Sequence, residues 1–485
     1  MYIHRLLQLS EFGRPVIVEG WVRHLREMKT VIFADVYDGL SPASLQVVLD
    51  KHKKPKNLTV GAAVRLDGKL VQSSGRNQRV EFACDTAQVV GECPLQLGYP
   101  FQPRIHYRPH YVRRFPHLRA KTAAFASMLR IRDKCLSRIH DYMRDRDFIF
   151  ANTPTITNHD CEGAAEVFNV LPATIFHEKS DELVEEEEGA EIEGEMPEVN
   201  PDEIAQGRGD LCDPHKFYFA NQCCLNVSGQ LHLEAMTSGV RKVYTIAPAF
   251  RAERTVTKHH LAELWMLEIE EAFVTQIEPL MQLLQSLVID IAAYMSTSCS
   301  DDLQICHSHH RPETNQADRV AQLDSFPILS YAEAIDILEK STESFQFRPK
   351  YGENFKKEHE QYLARHCGDR PVFVRDFPAT AKPFYMQTNP DRPETVACFD
   401  LLSPGVGELC GGSLREQSRE RLEQRMESHQ LDLQVWGWYL ALRTFGYAPT
   451  GGWGLGIERL LQFLLGINSV KDTVPFPRWY RNALL

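Results

Sequence analysis

A change of periodicity near residue 119 divides this chain into two units of different kind. Ahead of it, apolar residues come in short extended runs at 16–23, 31–36, 44–49, 63–71 and 79–83, with Asp38-Gly39 as a turn. Beyond it, Phe125, Met128, Leu129, Leu136, Ile139 and Met143 recur at helical spacing, which predicts a helix ending near Asp147. Helical patterns return at 278–295, 330–340, 415–429 and 457–465, and Ser330 with Glu333 forms a capping box. Extended patterns occupy 243–251, 261–274, 371–377 and 395–402. Strand runs with helices grouped between them predict an α+β unit on an antiparallel sheet flanked by helices, not a doubly wound fold.

The five N-terminal strands describe a small β-barrel of the oligonucleotide-binding (OB-fold) type, assigned to residues 1–95. Residues 96–118, rich in proline and arginine, read as a linker, and 119–485 as the second domain. No apolar run approaches the ~20 residues of a membrane span, so no membrane partner is expected. The twelve cysteines are scattered without CxxC pairs, which suits a reducing compartment better than a disulfide scaffold. Net charge is −11, unfavourable at first sight for a nucleic-acid binder. Residues 178–203, however, hold thirteen carboxylates against one lysine, so the rest of the chain carries +1. Few apolar residues accompany these acids, and 178–213 is expected to be a solvated, disordered insertion. The first fourteen residues hold His4, Arg5, Glu11 and Arg14 but no long amphipathic Arg/Ser-rich stretch, and make no persuasive targeting peptide.

Chemistry concentrates in four segments. Along 261–273, Trp265, Leu267 and Ile269 share one strand face, while Leu264, Met266, Glu268 and Glu270 share the other. Two carboxylates on one face require cations or donors if covered, or else an open sheet surface. Arg251 and Glu253 lie two apart on the preceding strand of a hairpin; Arg251 suits a phosphate, though the spacing equally describes a surface ion pair. Glycines 451, 452, 454 and 456 form a Gly-rich turn before the 457–465 helix, with Arg459 in its first turn. That turn fits either a ligand or tight strand-to-helix packing. Asp400 and Glu408 flank a Pro-Gly turn and offer the hard oxygens that Mg²⁺ prefers. Cys299, Cys306, His307, His309 and His310 lack paired zinc spacing and read as a surface loop.

Taken together, these segments resemble the asparaginyl-tRNA synthetases, class II aminoacyl-tRNA synthetases of the aspartyl/asparaginyl/lysyl subgroup. The resemblance rests on residues 153–157 with 160–164, 227–234, 250–253 through 260–263, 382–386, 454–459 and 472–478. Residues 405–409 and 414–416 look most like the mitochondrial branch, which implies a mitochondrial matrix location, with the cytoplasm as the alternative.

The resemblance implies ATP and Mg²⁺ use, L-asparagine and tRNA(Asn) as partners, and a homodimer. It assigns Arg251 to the ATP α-phosphate and Arg459 to the γ-phosphate, as the catalytic pair. Glu253, His260, Leu264, Glu408 and Gly456 complete the ATP site, and Asp400 with Glu408 holds the metal. Ser228, Gln230, Leu233 and Glu234 belong to the amino-acid pocket, Glu162 and Glu268 face the α-ammonium, and Arg415 donates to the side-chain carbonyl. Aspartate-specific relatives carry lysine at the position of Leu233. Leucine supplies no cation, and Glu234 accepts from an amide while repelling a carboxylate, which favours asparagine. Phe33 and Gln46 match anticodon-reading positions, although Phe33 also fits a barrel-core position. Three departures stand out: Leu264 where phenylalanine is usual, Trp453 for a common phenylalanine, and His259 where arginine is usual.

Overall fold

The structure is a computed structural model and describes all residues except 10, 74, 76–77, 103–104, 160–165, 172–217 and 220–221. The acidic insertion and Glu162 lie outside the described residues.

Strands β1 (Pro15–Glu27), β2 (Val31–Tyr37), β3 (Leu45–Asp50), β4 (Ala63–Gln72) and β5 (Val80–Gly91) close into a barrel in the order β1-β2-β3-β5-β4. Period-two alternation sends Val18, Val22, Ile32, Val36, Leu45, Leu49, Leu66 and Phe82 inward, and Ile3 and Leu6 of the Ile3–Gln8 helix join the same core. Ile32 and Ala34 take the inward positions of β2, so Phe33 points outward. Its ring lies beneath the Arg26 guanidinium at 5.1 Å, and Gln46 faces outward on β3, beside Asp35. The barrel-core position for Phe33 is thereby excluded.

The second unit is built on an eight-stranded sheet. Its order is Ile328–Ser330, Val372–Arg375, Cys398–Ser403, Gly407–Leu414, Thr450–Gly456, Glu263–Ala272, Lys242–Phe250, Ile149–Phe150. The six inner strands are antiparallel, but each outermost strand pairs in parallel with its neighbour. The sheet is therefore mixed, not purely antiparallel as expected. Parallel neighbours need a long crossover, and the chain supplies one on each side: residues 151–241, and the Tyr331–Glu339 and Lys357–His366 helices.

One face of this sheet is covered by the Ala123–Arg144, Glu278–Ser298 and Ile457–Leu465 helices. Met128, Ile139, Leu284, Val288, Leu460 and Leu464 meet Leu267, Ile269, Leu401 and Leu455 of the strands in a single core. The first of these helices ends at Arg144, and Asp147 turns the chain with a left-handed φ of 65°. The expected Ser330–Glu333 capping box is present. Against the expectation that no apolar run approaches a span, the Glu278–Ser298 helix is long and apolar enough to cross a membrane by length and composition. Its Leu280, Leu284, Leu287, Ile291 and Met295 are buried in this core.

Three local expectations fail. Residues 451–456 are not a turn but most of an interior strand, Thr450–Gly456. Glycine removes the apolar alternation that marks a strand, so pairing on both sides decides the conformation. The helix expected from 415 begins only at Arg419, because the Arg415 backbone N–H donates to Thr450 and Ser418 caps the helix. Residues 300–310 are a helix, not a surface loop, and Cys299 and Cys306 are buried in the core. No cluster of three or more metal-ligating side chains occurs among the described residues.

Candidate active site

The sheet face opposite the core helices carries the chemistry. Alternation along Glu263–Ala272 aims Leu264, Met266, Glu268 and Glu270 at it, as the pattern predicts. The next strand keeps this floor bare. A side chain at Gly452 would collide with the Ile269 carbonyl and the Glu270 carboxylate, so only glycine lets Glu270 and Gln230 lie over the sheet there.

Two adjoining cavities occupy the face. The larger, about 870 Å³, is lined by Ser228, Gln230, Glu268, Lys382, Tyr385 and Arg415 and reaches Asp400. The smaller, about 130 Å³, is lined by His259, His260, Leu264, Gly456, Glu458 and Arg459. Arg251, Glu253, Met266, Glu408 and Gly454 border both. The Lys242–Phe250 and Glu263–Ala272 hairpin supplies Arg251 from its end, and the first turn of Ile457–Leu465 supplies Arg459. The Arg251–Glu253 pair, 3.9 Å apart, thus lies at a cavity wall, which disfavours the plain surface-pair alternative.

At the closed end of the larger cavity, Arg415 and Glu270 form a bidentate ion pair. Nε donates to Glu270 Oε1 at 2.9 Å and Nη2 to Oε2 at 2.6 Å. Nη1 donates to Ser413 Oγ at 2.6 Å, and Gln230 Nε2 donates to Glu270 Oε2 at 2.6 Å. Burial alone would depress the guanidinium, but the Glu270 charge overrides it and holds the Arg415 pKa above its ordinary value. A guanidinium fixed this way keeps N–H groups over for a ligand carbonyl. Nearby, Glu268 accepts from Ser228 Oγ and, at 2.9 Å, from the Gly229 N–H. These bonds keep a carboxylate at the cavity wall, suited to an ammonium.

Leu233 and Glu234 lie elsewhere. Both are buried on the Gln230–Met236 helix, and neither lines the larger cavity. Glu234 is paired with Arg443 at 2.7 Å and accepts from Tyr439 and Tyr447. The expected direct contact between Glu234 and a bound amide is therefore replaced by support from behind: the Glu234 charge acts on both Glu270 and Arg415.

At the mouth shared by the cavities, the Cys398–Ser403 and Gly407–Leu414 hairpin brings Asp400 and Glu408 over Gly411. A Cβ there would lie 3.4 Å from Asp400 Oδ1 and 3.3 Å from Glu408 Oε1. Two hard oxygens over one bare backbone position fit a Mg²⁺ that takes its remaining ligands from water and phosphate. Lys382 Nζ holds both Asp400 oxygens, at 2.9 and 2.7 Å. Burial raises the Asp400 pKa to about 6 against the pull of Lys382. Burial also acts on Glu408, but Arg459 and Lys382 overcome it and keep its pKa below the ordinary value.

The smaller cavity brings Arg251 and Arg459 together with Glu253, Glu408 and Glu458. Arg459 Nη1 donates to the Glu408 carbonyl at 2.9 Å. Its neighbour Glu458 is fixed by Arg132 at 2.7 Å and by the Trp265 N–H at 2.8 Å, which anchors the helix start. His259 is buried, and desolvation together with the Lys357 charge lowers its pKa to about 4. A neutral ring adds no charge for phosphate, so the arginine usual at 259 has no equivalent in His259. Lys357 lies near Glu408 and Arg459. Sequence spacing singles out neither Lys357 nor the Arg443–Tyr439–Tyr447 support, whose contacts with Glu408 and Glu234 join residues distant in the chain. Lys382, inside the 382–386 segment of the resemblance, finds its partner in Asp400.

An antiparallel-centred sheet, two arginines, Arg251 and Arg459, lining one cavity on its open face, and a preceding five-stranded barrel define a class II aminoacyl-tRNA synthetase. Residues 109–183 and 208–480 match the family "tRNA synthetases class II (D, K and N)", and 16–90 match "OB-fold nucleic acid binding domain". The chain is 40% identical to an asparaginyl-tRNA synthetase of Mus musculus over 98% of this chain and 92% of the relative. It is 35% identical to an asparagine–tRNA ligase of Thermosynechococcus vestitus over 99% of both. A solved asparaginyl-tRNA synthetase of Entamoeba histolytica in complex with asparaginyl-adenylate is 25% identical, covers 97% of this chain and 96% of its own, and has a TM-score of 0.77. The chain belongs to the asparaginyl-tRNA synthetase family.

Proposed function

We propose that the chain activates L-asparagine with ATP and transfers it to tRNA(Asn). The carrying observation is the pairing of two ends in one continuous site: a fixed arginine, Arg415, at the amino-acid end, and Arg251 with Arg459 at the phosphate end. The asparagine carboxylate oxygen attacks the ATP α-phosphorus, and the bond to the bridging oxygen of the leaving pyrophosphate breaks. Arg251 offsets charge on the phosphate under attack, and Arg459 on the far phosphate. Glu268 holds the α-ammonium. The spare Arg415 N–H groups donate to the side-chain carbonyl. The tRNA terminal hydroxyl then attacks the acyl carbon and AMP leaves. No protein nucleophile takes part; positioning and electrostatics carry the rate. Mg²⁺, held by Glu408 and Asp400, would screen phosphate charge when bound.

Leu233 supports asparagine over aspartate indirectly: buried behind the cavity wall and not in it, leucine puts no cation at the position where aspartate-specific relatives carry lysine. Homodimerisation is supported by the exposed apolar edge strand of the large sheet, where Ile149 is 58% and Phe150 38% exposed; sedimentation at micromolar concentration tests it, and a monomer would refute it. A mitochondrial matrix location is tested by imaging the C-terminally tagged chain, and a diffuse cytosolic signal would overturn it. The reaction itself is tested by amino-acid-dependent ATP–pyrophosphate exchange and by charging of tRNA(Asn).

A further inference from the structure

The Lys357–His366 helix begins beside the phosphate end of the site, and its first residue is a lysine. A cation in a first turn meets the positive pole of its own helix. Burial pushes the Lys357 pKa below the ordinary lysine value, and the Arg459 charge adds to that. Its ion pair, from Nζ to Glu360 Oε2, is loose at 3.8 Å. An ammonium carries three donors, so this pair leaves donors over for a ligand. The fold gains little from a charge at this position.

The helix is clamped to the turn that carries Glu408. Glu360 accepts the Glu408 N–H at 3.1 Å, and Gln361 Nε2 donates to the Gly405 carbonyl at 3.0 Å. Between these two anchors Gly407 has a left-handed φ of 85°. A Cβ there would collide with the Glu360 carboxylate and lie 2.8 Å from Lys357 Nζ, so glycine lets the lysine cross the turn. The Lys357 charge thereby reaches His259, His260, Glu408 and Arg459, four side chains of the smaller cavity. It is not needed as the counter-charge of Glu408, which draws more from Arg459, Lys382 and Arg251.

In the wall of the smaller cavity, Glu253 and Glu408 cancel the charges of Arg251 and Arg459, and Glu458 is matched by Arg132. His259, kept neutral by burial, adds none. A terminal phosphate there calls for a further cation. Resting on the reading of this chain as an ATP-dependent activator of asparagine, we infer that Lys357 is a third cation of the triphosphate site, donating to the terminal phosphate beside Arg459. Its flexible four-carbon stem lets the ammonium follow that phosphate as pyrophosphate leaves. Arg251 stays with the phosphorus under attack, so Lys357 serves the leaving group and not the acyl end.

The test compares the full chain with Lys357→Met, which keeps most of the stem and removes the charge, and with Lys357→Arg, which keeps the charge. In asparagine-dependent ATP–pyrophosphate exchange, Lys357→Met is expected to raise the KM for ATP and for pyrophosphate about ten- to a hundredfold. The KM for asparagine is expected to stay the same, and Lys357→Arg to recover most of the loss. Calorimetric titration separates the phosphates. Lys357→Met is expected to bind ATP more weakly than wild type by that same factor, and to bind AMP, which lacks the terminal phosphates, equally well. An unchanged KM for ATP, an equal weakening of ATP and AMP, or a raised KM for asparagine would overturn the inference. Failure of wild-type exchange with asparagine would instead refute the underlying function.

Discussion

At the residue scale, the site rests on charges that are buried and paired. Glu270 is fully buried and holds Arg415 through two bonds, so Glu270→Gln leaves a buried guanidinium without its counter-charge. Such a change costs about 3–5 kcal/mol. Denaturant unfolding should register that loss, together with a raised KM for asparagine; an unchanged midpoint and KM would show the pair to be dispensable. Arg459→Ala removes a cation from the phosphate end, and exchange should fall by roughly a hundred- to a thousandfold. Activity near wild type would remove Arg459 from the reaction. Glu234 shows how a residue can be picked out correctly for the wrong contact. Its carboxylate was legible as unusual next to Leu233. Its partners Tyr439, Arg443 and Tyr447 lie more than two hundred residues away, so their closure around it was not.

At the scale of elements, legibility followed periodicity. The Glu263–Ala272 strand could be read in the sequence because its two faces differ in polarity. The neighbouring Thr450–Gly456 strand could not, because glycine has no polarity to alternate, and it reads as a turn. The structure gives those glycines a task that no turn would require: at Gly452 a methyl group would displace the Ile269 carbonyl or Glu270. Gly452→Ala is expected to lower stability by roughly 1–3 kcal/mol and to raise the asparagine KM; calorimetry and exchange kinetics check both. The segment around His259 makes a pH prediction. Its folded-state pKa, about 4, lies below the ~6.5 of an unfolded histidine. Acid therefore protonates the unfolded chain first, and stability present above pH ~6.5 is lost as pH falls toward 4. Denaturant unfolding of the ligand-free protein should show about 1–2 kcal/mol less stability from this group at pH 5 than at pH 7.5. His259→Gln should shrink that difference; an identical difference would remove His259 as its source.

At the scale of the whole molecule, a barrel and a catalytic sheet divide the work. The switch in periodicity near residue 119 revealed both units, while the parallel outer strands depended on long crossovers that leave no local signal. The outward Phe33, with Arg26 over its ring, gives the barrel a stacking surface far in sequence from the catalytic residues. Phe33→Ala should raise the KM for tRNA(Asn) by roughly five- to a hundredfold while leaving exchange unchanged. The central claim is narrower: one continuous site joins an asparagine to ATP. ATP–pyrophosphate exchange by the full chain, measured with L-asparagine and with L-aspartate, tests it most directly. The account predicts exchange with asparagine at least about a hundredfold faster than with aspartate; equal rates, or a preference for aspartate, would contradict it.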